Sequence, residues 1–75
     1  MFDRITAEID KMGGVPCVRG LRVPVATVVG MIADGMSKDE VLAAYPDLEQ
    51  DDIKQCLLYA AYLTKDREVQ FAHQA

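Results

Sequence analysis

Few residues in this chain can carry covalent or metal chemistry: Cys17, Cys56, Ser37 and His73, and no spacing gathers them into a working set. The two cysteines stand far apart, each in an apolar run, and form no C-x-x-C pair. Structural zinc wants four clustered ligands, and the one histidine, His73, lies near the C-terminus. Ser37 with Asp39 and His73 makes no nucleophilic triad, because Ser37 is accounted for as a helix cap: Glu40 follows it at the capping-box spacing. Gly13-Gly14 and Gly20 do not form a phosphate cradle, since no G-x-x-x-x-G-K-[ST] is present. The expectation is a protein that is not an enzyme, with no catalytic residue, cofactor or metal. What remains are side chains suited to binding: Arg19 and Arg22 around a tight turn, Gln50, Lys54 and Gln55 near a helix start, and the apolar group Leu58, Tyr59 and Tyr62.

The elements that must position these side chains can be read along the chain. Val15-Pro-Cys-Val-Arg-Gly-Leu-Arg-Val-Pro-Val25 carries β-branched residues on both sides of Gly20, a hairpin signal in which Gly20 supplies the positive φ of the turn. Pro16 and Pro24 restrict both arms to short or edge strands. Val25, Val28, Val29 and Ile32 recur at helical spacing, and Gly35 ends that helix. Ser37 starts a second helix with the stripe Val41, Leu42 and Tyr45, stopped by Pro46. A third begins near Asp47 to Asp51 and shows Ile53, Cys56, Leu57, Ala60, Ala61 and Thr64 on one side. The expected fold is mainly α. It is a single domain over 1–75, a three-helix helix-turn-helix of the homeodomain-like kind, with helices at 26–34, 37–45 and 49–67. A short N-terminal β-hairpin at 15–25 precedes them and a tail at 68–75 follows.

A helix-turn-helix needs a short helix, a tight turn and a second helix crossing it closely. Leu42 and Ala43, then Leu48, then Ile53 and Cys56 meet that pattern. Ala43 is read as the small contact residue and Asp47 as the left-handed turn residue. The exposed start of the second helix would then reach a major groove, with Gln50 and Gln55 on adenine edges and Lys54 on a guanine or a phosphate. Glu49, Asp51 and Asp52 oppose that contact, although carboxylates in a first turn also favour the helix dipole. Arg19 and Arg22 offer the better electrostatic footprint for DNA. They are equally well placed to pair with the acids that follow them.

Charge and length bound these readings. The chain has 75 residues and a net charge of −4, and residues 26–52 hold one lysine against seven acids. A protein that relies on phosphate contacts usually shows a basic face. A chain this short buries only about 60% of its unfolded surface, so pairing with another chain is a common source of extra burial. Cys56–Leu63 is apolar all round, far short of a membrane span, and such a helix needs partners on every side. Leu58, Tyr59 and Tyr62 are therefore expected at a contact with a second chain, unless the N-terminal segment covers them. Two buried thiols and a start without a secretory signal point to the cytoplasm.

The residues Ile5-Thr6, Gly13-Gly14-Val-Pro-Cys-Val-Arg-Gly-Leu-Arg-Val-Pro-Val25, Gly35-Met-Ser37, Tyr45-Pro-Asp-Leu48 and Asp52-Ile53 through Tyr59-Ala-Ala61 form a specific pattern. The chain resembles family four hundred and thirty-three of the domains of unknown function, whose members look like bacterial antitoxins of the VapB type. The resemblance implies an antitoxin that neutralises a toxin resembling a PIN-domain ribonuclease by direct binding, dimerises, and regulates its own transcription by binding operator DNA. Family members often carry Thr or Ser where this chain has Glu49, which weakens the cap and adds negative charge. The resemblance also implies toxin docking by the C-terminal segment, with Val69 and Phe71 as anchors and Arg67 reaching acidic residues of the nuclease. A second reading is open, in which the helix-turn-helix is only the scaffold of a protein-interaction module that binds no DNA. No membrane and no small-molecule substrate are expected in either case.

Overall fold

The computed structural model describes residues 2–8 and 12–65. Strand β1 (Ile5–Thr6) pairs antiparallel with β2 (Cys17–Val18), with Ile5 opposite Val18 and Thr6 opposite Cys17. The expected turn beyond β2 also forms. The Val23 carbonyl accepts from the Val18 N–H at 2.9 Å, and that of Pro16 from the Val25 N–H at 3.0 Å. This returning arm amounts to one bridge, Cys17 to Pro24, so the ladder lies between β1 and β2 and not within 15–25 as the sequence suggests. Prolines at both arms explain the difference, because each removes a backbone donor. The turn is tighter than one glycine implies: Arg19 (φ 42), Gly20 (φ 74) and Arg22 (φ 62) all lie in the left-handed region.

Three helices follow: α1 (Val25–Ala33), α2 (Lys38–Ala44) and α3 (Gln50–Lys65), the last of these the final described element. Pro24, with its fixed φ of −64, leads into α1. Gly35 (φ 96) ends it in a Schellman arrangement: the Gly35 N–H donates to the Ile32 carbonyl and the Met36 N–H to that of Met31. The capping box forms as read. Ser37 Oγ accepts from the Glu40 N–H at 3.1 Å, and Glu40 Oε1 accepts from the Ser37 N–H at 2.8 Å. Between α2 and α3, the Leu48 N–H donates to the Tyr45 carbonyl across Pro46-Asp47. Asp47 has no positive φ, so the left-handed role expected of it falls away. Proline at the second turn position already sets the bend.

The core is built from Val18, Val25, Val28, Val41, Leu48, Ile53 and Cys56, where β2, α1, α2 and α3 meet. Leu42 packs partly buried against it, while Ala43 is exposed. Val41, not Ala43, is thus the buried contact of α2. On α3 the inward stripe runs through Asp52, Ile53 and Cys56, and Ala61 and Thr64 lie outside it. Cys17 and Cys56 are both buried and no disulfide joins them. Burial, followed by the nearby Asp52 charge, pushes the Cys56 thiol up to about 11, so it stays protonated as an apolar core residue. No described helix is long and apolar enough to cross a membrane.

Candidate functional site

Asp52 organises the polar side of the domain. It is the buried charged residue among those described, 1% exposed, at the third position of α3. Both carboxylate oxygens are taken by Arg19, Nε on Oδ1 at 3.0 Å and a terminal nitrogen on Oδ2 at 2.8 Å. Arg4 adds a bond to Oδ1 at 3.0 Å, and the Glu49 N–H donates to Oδ2 at 2.8 Å, so the same carboxylate caps its own helix. Burial alone would raise the pKa of Asp52. The bonds from Arg19, the Glu49 amide and Arg4 outweigh it and hold the group below the usual carboxylate range. Both guanidiniums are held more firmly protonated in return, Arg4 chiefly by Glu49 and then Asp52, Arg19 by Asp52.

The clasp reaches further. Arg4 also pairs with Glu49 at 2.8 Å and lies 3.7 Å from Asp51, while Arg19 donates to the Asp47 carbonyl at 2.8 Å. Gln55 fixes the arm beside it: its Oε1 accepts from the Arg4 N–H at 3.1 Å and its Nε2 donates to Asp3 at 2.7 Å. That amide bond keeps the Asp3 carboxyl below its ordinary range. The N-terminal arm, the turn after β2 and the start of α3 are thereby joined through one carboxylate.

Of the residues expected to touch DNA, Arg19 and Gln55 are therefore occupied inside the fold. Arg22 is exposed at the turn and makes no ion pair among the described residues, and Gln50 and Lys54 are exposed on α3. Gln50 and Lys54 do not make a basic face, since the exposed Glu49 and Asp51 flank Gln50 in the chain. Sequence reasoning took Asp52 for one more first-turn acid and missed its role. Its position in the stripe of Ile53 and Cys56, on the inward side of α3, was the available signal.

The apolar half of α3 divides into two sides. Leu58 and Tyr62 face outward, 51% and 58% exposed, and Tyr59 is half-buried. Phe2 from the N-terminal arm covers part of that side, meeting Tyr59 edge-on with centroids 5.2 Å apart and Tyr62 at 5.5 Å. Beyond Tyr59, which borders both sides, an open groove of about 420 Å³ runs between α1, α3 and Val15-Pro16. Arg67, Val69 and Phe71 lie outside the described residues.

Three helices, a two-stranded ladder and a short link between α2 and α3 define a small, mainly helical domain of helix-turn-helix type. The family model described as "Protein of unknown function (DUF433)" matches residues 5–60, and the chain belongs to that family. A curated relative, the uncharacterized protein y4eO of Sinorhizobium fredii (strain NBRC 101917 / NGR234), is 41% identical over 56 residues. Those residues are 75% of this chain and 25% of that protein. The crystal structure of a DUF433 member from Anabaena variabilis ATCC 29413 shares the fold with a TM-score of 0.74 and 28% identity, covering 87% of this chain and 63% of that one. The chain thus spans a quarter of the length of the one and under two thirds of the other.

Proposed function

We propose that this chain is the protein-binding member of a two-protein pair, an antitoxin that neutralises its partner by direct docking. The observation that carries the reading is the outer side of α3, where Leu58 and Tyr62 stay 51% and 58% exposed while the nearby Gln55 is engaged within the fold. A rigid helix presenting leucine and tyrosine supplies the kind of anchor that dominates protein interfaces. The class of partner, a ribonuclease resembling a PIN domain, comes from the resemblance carried by residues 13–25. Operator binding is the weaker part of the antitoxin reading. With Arg19 and Gln55 occupied, DNA would be left to Arg22, Gln50 and Lys54 beside exposed acids, a poor match to phosphate. The helix-turn-helix serves here as a scaffold.

The test is co-expression of the full chain with the product of the adjacent reading frame, followed by a ribonuclease assay. Wild type should co-purify with that product and suppress RNA cleavage. Leu58→Asp should weaken binding at least ~30-fold while leaving the fold intact, because it places a charge at an interface anchor. Inhibition by Leu58→Asp equal to that by wild type would rule out this surface. Fluorescence anisotropy with the DNA upstream of the gene, at two salt concentrations, tests the other reading. Specific, salt-weakened binding would restore operator recognition.

A further inference from the structure

The tip of the N-terminal arm, Phe2-Asp3, is held differently from the residues that follow it. From Arg4 onward the arm is fixed twice. The Arg4 carbonyl accepts from the Arg19 N–H at 2.8 Å, and the Arg4 guanidinium sits on the buried Asp52. The tip is attached more lightly. The Phe2 carbonyl accepts from the Ile5 N–H at 3.2 Å, the exposed Asp3 carboxylate accepts from Gln55 Nε2, and the Phe2 ring rests on Tyr59 and Tyr62. Water competes for the Asp3 bond, so that bond adds little to holding the tip down. Phe2 also stands outside the core. Tyr59 packs against the buried cluster, whereas Phe2 does not, and Tyr62 stays 58% exposed with the Phe2 ring beside it. The chain thus lays an aromatic ring of its own on the side of α3 that carries Leu58 and Tyr62.

We propose that Phe2 is a stand-in for an aromatic side chain of the docking partner, which takes its place against Tyr59 and Tyr62 as the arm tip swings out. The proposal rests on the docking role given to Leu58 and Tyr62. An incoming ring regains the edge-on and tilted contacts that Phe2 makes, and the partner adds the parts of Leu58 and Tyr62 that the tip leaves open. The exchange leaves the fold intact, because the strand ladder and the Asp52 clasp hold from Arg4 onward. A surface covered in most molecules binds more weakly, in proportion to the fraction that is open. Phe2 therefore shields part of the apolar side of α3 from water in the free chain and sets the threshold a partner must exceed.

Two measurements on the full chain test it. Nitration by tetranitromethane, read by peptide mass spectrometry, reports the cover without any partner. Phe2→Ala should speed modification of Tyr59 at least ~3-fold, with Tyr45 at the end of α2 as the unaffected reference and the helical circular dichroism unchanged. Association kinetics with the purified product of the adjacent reading frame test the exchange. Phe2→Ala should bind at least ~5-fold tighter, the gain lying in the association rate with dissociation unchanged. Asp3→Ala, at an exposed position, frees the tip but keeps the ring, and should shift binding the same way by less. Equal or weaker binding by Phe2→Ala, alongside wild-type binding that Leu58→Asp weakens, overturns the proposal and leaves the docking surface standing. So does an unchanged nitration rate at Tyr59. Binding that Leu58→Asp leaves intact, or no binding by wild type and Phe2→Ala alike, overturns the docking surface and the proposal with it.

Discussion

The two ends of α3 are held by opposite kinds of physics. Its first turn is fastened by directed polar contacts: one buried carboxylate engages two arginines and a backbone amide. Its last two turns carry leucine, tyrosine and alanine that the domain leaves largely open. Directed contacts fix geometry, so the first turn ties the arm at Arg4 and the turn at Arg19 to one point. Apolar contact is non-directional and grows with area, so the last turns are suited to association. The difference teaches that the end carrying the residue types of a DNA reader is used for internal construction. The end with no chemistry of its own is the one the domain leaves open.

Removing the centre of the clasp should separate the two ends most sharply. Asp52→Ala strands two guanidiniums and the Glu49 N–H and should cost about 3 kcal/mol, the low end for breaking a buried pair because both arginines keep some contact with water. At about 4–8 °C per kcal/mol for a domain of this size, thermal unfolding should move down by at least ~12 °C. A shift below ~3 °C would mean that the clasp decorates a fold held elsewhere. The groove and the outer side of α3 should be unaffected in any fraction that remains folded.

Acid should reproduce part of that loss without mutation. The pKa of Asp52 is depressed in the folded state, so its stabilisation is fully present above its unfolded value of about 4 and is lost as pH falls through the folded value. Unfolding temperature measured from pH 7 downward should hold level and then drop below about pH 4. Asp52→Asn should flatten that drop. An equally steep acid limb in Asp52→Asn would assign the titration to other carboxylates.

The two arginines of the turn divide in the same way. Arg19 is bound to both oxygens of Asp52 and to the Asp47 carbonyl, whereas Arg22 makes no ion pair among the described residues. Arg19→Gln should therefore lower the urea midpoint measurably, and Arg22→Gln should leave it unchanged. Equal losses would mean that the left-handed backbone at both positions, not the guanidinium, decides their contribution.

What was legible in the sequence follows from the range of the forces involved. The spacing of Val25, Val28 and Ile32, the Ser37–Glu40 box and the stop at Gly35 act within one or two turns, and the helix limits they imply agree with the structure to within two residues among those described. The pairing of β1 with β2 was not legible, since two residues show no alternation and their partners lie beyond Gly13-Gly14. The arginine clasp was legible only as one of two equal options. Arg4 and Asp52 are far apart in the chain, and nothing local distinguishes Asp52 from Glu49 and Asp51 except its place among apolar residues. Ala43 failed as a helix contact because small size marks a close approach only where a neighbouring helix is present, and there the chain faces water.

The smallest expected effect probes the open end. Gly30 sits inside α1 without a positive φ, and an added Cβ meets nothing within 4 Å. Gly30→Ala should thus stabilise the isolated domain by roughly 0.5–1 kcal/mol, because alanine loses less conformational freedom in a helix. Chemical denaturation of the purified chain is the measurement. A gain shows that glycine at this position serves no packing among the described residues, so that the groove beside it stays open. A loss would mean that the groove is already filled from within, and the contrast between a fastened end and an open end of α3 would collapse.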